Sequence, residues 1–336
     1  GDAMDDGYNA FAKVESAGAY QTALESLSGR ALGSIGAFRF QGSRDFVSNL
    51  EQGCDADSNQ ADCAWGRVQV ANAHQDETAD ALGYNADTQT IEAGLQRELR
   101  DGLTLGGALG YEHSEFRDAD DMGSVDGDGI VGGIGLRYDH GPVEVSGVID
   151  GGYGSYDSQR TVVVGDQLDQ AKAKPDVWNA GVHLQASYTH DFGNNYLKPY
   201  AELRGIEVHG DGYTEQGASP FNLAVQSQSQ FSAGGGLGAE WGTTHALTSG
   251  AKLGFYVNGA VEAGEGNDWT TRAHFADETA DDSFTVHTNV PSTYGRVGLG
   301  MNMHNWKNVD LSVNYSTEFG GGYRANAGIA RLAWHF

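Results

Sequence analysis

The final nine residues, Gly328-Ile329-Ala330-Arg331-Leu332-Ala333-Trp334-His335-Phe336, alternate in character. Ala330, Leu332, Trp334 and Phe336 share one parity, and Arg331, Ala333 and His335 share the other. A β-strand sends successive side chains to opposite faces, so this segment has one apolar face and one mixed face. It ends on an aromatic ring. A strand between lipid and a polar interior needs this pattern, with the ring at the interface. The last strand of a water-soluble sandwich fits it as well, so the remaining segments must decide.

No stretch approaches the ~18 consecutive apolar residues of a membrane helix. Hydrophobic residues make up 39% of the 336, with 50 glycines and 5 prolines, and the mean hydropathy is -0.45. A barrel strand needs only ~9–11 residues, half of them polar, so a polar average still permits a membrane barrel. The net charge of -26 argues against nucleic acid, whose phosphates require clustered Lys and Arg. The acidic stretches Asp118 to Asp128 and Asp277 to Asp282 read as solvated loops. Asp126 to Gly129 does not match the EF-hand spacing, and turn chemistry accounts for it. No metal or cofactor is expected.

The two cysteines, Cys54 and Cys63, lie close together in a polar stretch. A short disulfide loop formed in an oxidising compartment is expected. A metal site is disfavoured because no His or further Cys is near. No signal peptide is legible at Gly1, as expected of a mature fragment.

Phe11, Val14, Ala17, Gly18, Leu24 and Leu27 are spaced as in a helix, with Ser28-Gly29 as its stop. Residues 31–50 hold a weaker helical stretch around Phe38, Phe46, Val47 and Leu50. The competing interpretation of both is a helical cap on a soluble β domain.

From Ala64 the period becomes two, and twelve strands are predicted. They lie at about 64–74, 88–99, 102–115, 127–138, 142–156, 175–190, 195–208, 227–242, 247–263, 292–304, 309–318 and 328–336. In the fifth, Val143, Val145, Ile149 and Tyr153 oppose Glu144, Ser146 and Asp150. Short turns are predicted at 100–102, 139–142, 191–194, 242–246, 305–308 and 319–322. Longer connections are predicted at 75–87, 116–126, 157–174, 209–226 and 264–291. Short turns at one end and mostly long loops at the other is the outer-membrane arrangement. The predicted fold is all-β: a twelve-stranded antiparallel transmembrane barrel.

Twelve strands enclose more space than wall side chains alone fill. The N-terminal α-helix is expected inside the lumen, where Lys13, Glu15, Gln21 and Glu25 would meet the wall. Some twenty helical residues reach about 30 Å, the depth of the hydrocarbon. The inward glycines Gly106, Gly110, Gly133, Gly135, Gly234, Gly236 and Gly238 make room for that helix or let the sheet curve. Arg67, Glu92, Glu144, Glu202, Arg204, Lys252, Glu262, Arg296 and Arg331 are expected to face inward as cross-strand ion pairs. No G-x-S-x-G motif is present and the 11 His are scattered, so no catalytic residue is assigned.

The chain resembles the translocator β-domain of the type V autotransporters of Gram-negative bacteria. Leu27-Ser28-Gly29 resembles the segment before the barrel, and Trp65-Gly66-Arg67 the first strand. Gly83 to Asp87 and Gly106 to Tyr111 continue the pattern. Ala330, Leu332, Trp334 and Phe336 resemble the signal read by the barrel-assembly machinery. The resemblance implies a monomer in the outer membrane, contacting lipid and lipopolysaccharide, that exports and anchors a covalently linked passenger. Residues 1–30 would traverse the lumen, 31–63 would form a periplasmic-side connection with the Cys loop, and 64–336 the barrel. Some relatives cut their passenger at an Asn-Asn junction, and residues 1–30 contain none. The alternative is an outer-membrane pore or receptor with an N-terminal helical plug.

Overall fold

The computed structural model describes residues 7, 9–51, 53–54, 62–77, 83–265, 269–288, 291–306 and 308–336. Twelve strands form the barrel: β1 (Cys63–Gln75), β2 (Tyr84–Arg100), β3 (Leu103–Asp118), β4 (Gly123–His140), β5 (Val143–Val164), β6 (Asp176–Tyr188), β7 (Asn195–Gly210), β8 (Gln228–Ala246), β9 (Lys252–Glu265), β10 (Thr293–Trp306), β11 (Val309–Gly320) and β12 (Tyr323–His335). Each pairs antiparallel with its chain neighbours. β12 returns to β1, with Cys63 opposite His335 and Gln75 opposite Tyr323. The sheet therefore closes and leaves no open edge within the ring, which hydrocarbon requires.

The period-two pattern decides which face is which. On β5, Val143, Val145, Ile149 and Tyr153 are 41–56% exposed and point outward. Ser146 and Asp150 are buried inside. In a membrane those exposed side chains meet lipid. Tight turns at one end rely on left-handed backbone: Gly102 has φ +73° and Gly141 φ +59°. A Cβ at Gly102 would also overlap the Asp139 carbonyl.

Above the lipid-facing band several strands run further than their alternation indicates. β5 continues to Val164 and folds back through Gln167–Ala173. Its apolar parity reverses there: Tyr156, Val162 and Val164 are buried, on the side that is polar lower down. The cause is the change of solvent, since water replaces lipid outside and protein covers the inside. Tyr213–Thr214, Leu223–Val225, Trp269–Phe275 and Phe284–Thr288 form a separate four-stranded sheet at this end. Segments 157–174, 209–226 and 264–291 are thus partly strands, contrary to their expectation as loops. The 116–126 connection shrinks to a turn at 119–122, because β3 and β4 both extend beyond the band.

Two helices of more than ten residues precede the barrel among the described residues. α1 (Ala17–Leu27) starts at Ser16, whose side chain accepts from the Ala19 N–H at 3.2 Å. Ala23 and Leu27 pack with Val162, Val164, Ala171 and Phe221, so α1 lies on the β5 extension. A 3-10 turn (Arg30–Gly33) leads into α2 (Ser34–Glu51). Phe46, Val47 and Leu50 of α2 cluster with Trp65, Ala108, Val131 and Val148 of the inner wall. The helix in the lumen is therefore α2, which corrects the placement of 1–30 there. Length gives one reason: at ~1.5 Å per residue α2 spans about 27 Å and α1 about 16 Å. Lys13, Glu15, Gln21 and Glu25 are all exposed and touch no lumen wall. Residues 1–6 and 8 of that segment lie outside the described residues.

Candidate functional site: the lumen and its helix

One face of α2 seats on glycines of the wall. Arg39, Ser43, Phe46 and Leu50 follow spacings of four, three and four, which puts them on one stripe. Arg39 sits against Gly129 and Gly152, where a Cβ at Gly152 would lie 2.6 Å from Nη2. Ser43 meets Gly181, Phe46 meets Gly133, and Leu50 meets Gly106 and Gly135. A Cβ at Gly133 would approach Phe46 Cε1 to 2.8 Å and the Ile149 carbonyl to 2.7 Å. The β8 glycines serve another purpose. Gly234 lies against Arg204, Gly236 against Glu202 and Glu262, and Gly238 against Tyr200. Room for the helix is thus the use made of Gly106, Gly133 and Gly135, whereas the β8 glycines make room for side chains of the wall itself.

Polar groups hold the helix in depth and rotation. Arg39 Nη1 donates to Glu112 Oε1 at 3.3 Å, and its Nε donates to Asn179 Oδ1 at 3.3 Å. Ser43 Oγ donates to Asp150 Oδ2 at 2.7 Å. Gln69 Nε2 donates to Asp45 Oδ2 at 3.0 Å, and Asn49 Nδ2 to Glu92 Oε1 at 3.2 Å. Arg44 crosses to the opposite wall, 3.2 Å from Glu262 and 3.1 Å from Glu318, with its guanidinium 4.5 Å from the centre of the Tyr294 ring. Buried charges are tolerable only when paired and hydrogen-bonded, and this network supplies those partners.

The predicted wall residues meet one another more than the helix. Arg67 pairs with Glu92 at 3.1 Å. Arg204 pairs with Glu262 at 2.5 Å, and Arg296 lies 3.3 Å from Glu262 and 3.7 Å from Glu202. Lys198, absent from the predicted set, pairs with Glu144 at 3.2 Å. Lys252 is half-buried beside His304 of β10. Arg331 Nη1 donates to the Gly53 carbonyl at 2.7 Å, below the end of α2. Leu332, Trp334 and Phe336 are 50–56% exposed, and the last two rings lie 5.4 Å apart. Ala330 shares their outward face.

The helix residues Arg39, Ser43, Arg44, Asp45 and Asn49 escaped the sequence reading, because a polar side chain on a helix looks the same whether it faces water or a polar wall. Of their wall partners, Asp150 and Glu92 were legible as polar residues at inward parity.

Between α2 and the β1–β12 seam remains a cavity of about 90 Å3 beside Ala71, Ala73, Ala86, Ala325 and Ala327. One water needs about 10–15 Å3 by this measure, so several fit but a second polypeptide does not. The upper mouth is covered. Trp269 packs on Phe40 at 6.2 Å, and Leu32 joins Leu223, Val225 and Ala273. Arg160 ties this cover together: it pairs with Glu215 and donates to the Ser26 and Phe221 carbonyls. Burial pushes the nearby Tyr213 phenol well up from its usual value, Glu215 adds to this and Arg160 opposes it. At the other rim Cys54 and Cys63 are bonded, with Cα atoms 6.4 Å apart. Residues 55–61 of that loop lie outside the described residues.

Residues 64–316 match the family described as the autotransporter β-domain. The translocator domain of the autotransporter NalP from Neisseria meningitidis superposes with a TM-score of 0.71 at 16% identity, covering 90% of this chain and 99% of that one. The β domain of the Bordetella autotransporter BrkA gives 0.60 at 19% identity, covering 82% and 100%. Both likenesses concern the fold. An extracellular serine protease of Serratia marcescens is 25% identical over 98% of this chain, which spans 32% of that protein. The chain therefore belongs to the autotransporter β-domain family and is an outer-membrane translocator domain of Gram-negative type.

Proposed function

We propose that α2 is the trailing segment of an exported polypeptide, held in the lumen after a passenger linked before residue 1 has crossed. The observation that carries this reading is the route of the chain. It runs from the short-turn rim up through the lumen as α2, then leaves beside the extracellular sheet through Gly33 and Leu32. Folding of the passenger outside and docking of α2 inside would both oppose its return. Insertion would require the barrel-assembly machinery, which reads the outward Leu332, Trp334 and Phe336, and lipopolysaccharide would contact the outer band. The domain itself would carry no catalytic residue. The protease activity in the names of the Serratia relatives belongs to proteins about three times as long.

A reporter fused before residue 1 tests this. Display of the reporter on intact cells is expected. A reporter that stays periplasmic while the barrel inserts correctly overturns the transport reading and leaves the plugged pore.

A further inference from the structure

We propose that the Cys54–Cys63 disulfide is a mechanical stop that fixes how far α2 can be drawn through the barrel. This rests on the reading of α2 as a lumen segment under outward pull. Cys54 lies three residues past the end of α2, and Cys63 is the first residue of β1, opposite His335 at the seam. Nine residue steps separate them along the chain. Extended at ~3.3–3.6 Å per step, that linker reaches roughly 30 Å, about the thickness of the hydrocarbon. An unbonded linker would therefore let α2 travel most of the lumen without disturbing β1. Bonding shortens the tether to the 6.4 Å between the Cα atoms, and the helix keeps its depth.

Three strands clamp the same point. Arg331 of β12 donates to the Gly53 carbonyl at 2.7 Å. Arg137 of β4 donates to the Cys54 carbonyl at 3.1 Å. The Cys54 N–H donates to Gln96 Oε1 of β2 at 3.3 Å. These hydrogen bonds can break singly, whereas the covalent link does not. Seating the link at β1 directs any pull on the passenger into a strand bonded on both edges.

Hydrogen exchange of the α2 backbone amides in the micelle-held chain tests the stop. Both sulfurs are buried (Cys54 1%, Cys63 0% exposed), so substitution is a surer probe than a reductant. Cys54→Ser/Cys63→Ser should exchange α2 at least tenfold faster than the bonded chain. Removing six residues between positions 55 and 61 from that double variant should restore slow exchange, because tether length is what matters. Should the double variant fail to assemble, prolonged phosphine reduction of the inserted wild-type chain replaces it, with the same tenfold rise expected. Equal exchange with and without the bond overturns the stop. Failure of the shortened linker to restore protection also overturns it. Single-channel conductance of a chain lacking residues 1–51 separates the two claims. If it rises while the bond has no effect on exchange, the stop alone falls. If it stays at the full-chain value, the lumen reading falls and takes the stop with it.

Discussion

Arg44 Nη2 lies 3.2 Å from Glu262 Oε2, and this contact joins the lumen helix to the wall opposite the one on which it rests. Glu262 also receives Arg204, Arg296 and the Tyr294 hydroxyl, the last at 2.7 Å. Three guanidinium groups thus converge on one carboxylate that is 1% exposed. Glu262→Gln keeps the shape and removes the charge that balances them. Loss of one partner from a buried ion network costs about 3–5 kcal/mol. The variant should unfold at lower guanidinium concentration. It should also release α2 before the barrel melts, read as early exchange of α2 amides. An unchanged unfolding midpoint would show that Glu318 and Glu202 suffice without it.

Gly133→Ala should disturb the helix more than its single methyl group suggests. The new Cβ would meet Phe46 Cε1 and the Ile149 carbonyl, and the carbonyl belongs to a paired strand that cannot yield. Overpacking of this kind costs about 1–3 kcal/mol. Gly259→Ala on the outward face is a suitable control, since its nearest neighbour is the Arg296 carbonyl at 3.8 Å. Bilayer recordings of the Gly133 variant should show more frequent openings than wild type and the control. Matching records from all three would mean that Phe46 simply moves aside.

The barrel was legible because lipid imposes one rule on every strand. Val143, Val145 and Ile149 obey it, and so do Leu332 and Trp334. The rule lapses above the membrane, where Val162 and Val164 turn inward, and there the predicted loops proved to be strands. It lapses again in the lumen. Phe11, Leu24 and Leu27 drew attention to the wrong helix, since an apolar stripe marks a helix packed on an apolar surface. α2 rests on glycines and carboxylates as well as on the apolar side chains that meet Phe40, Phe46 and Leu50, and its polar anchors, Arg39 and Ser43, look like those of any solvated helix. The wall pairs Arg67–Glu92 and Arg204–Glu262 follow from inward parity, but the choice of partner depends on register across strands far apart in sequence.

The seating of α2 in the lumen has a direct electrical consequence. Removing residues 1–30 should leave conductance nearly unchanged, because α1 packs on the β5 extension and α2 still fills the lumen. Removing residues 1–51 should raise it several-fold. Single-channel recording of the two truncations side by side decides the matter. A rise on the shorter truncation would return the plug to the first thirty residues.

Arg160 should matter to the extracellular cover and hardly to the barrel. Its guanidinium joins Glu215, the end of α1 and the chain at Phe221, all outside the lipid band. Arg160→Met leaves Glu215 buried without its cation, a change worth about 3–5 kcal/mol. Limited proteolysis should then cut within 209–226 or 264–291, while heat-modified mobility on gels remains that of wild type. Adding Glu215→Met should recover part of the resistance, because the stranded charge is gone.

Deletion of Phe336 should separate assembly from stability. In the finished barrel its ring is 56% exposed and touches Trp334, and its N–H donates to the Asp62 carbonyl at 3.2 Å. That is one hydrogen bond at the end of a seam running from Cys63 to Gln75, worth about 0.5–1.5 kcal/mol. The inserted barrel should therefore melt within a few degrees of wild type. Should insertion precede closure of the seam, the outward row Leu332, Trp334 and Phe336 would be the part of the last strand open to recognition. The yield of folded barrel in outer membranes should fall several-fold, and in detergent refolding without assembly factors it should fall far less. Equal losses in membranes and in detergent would mean that the ring serves packing rather than recognition.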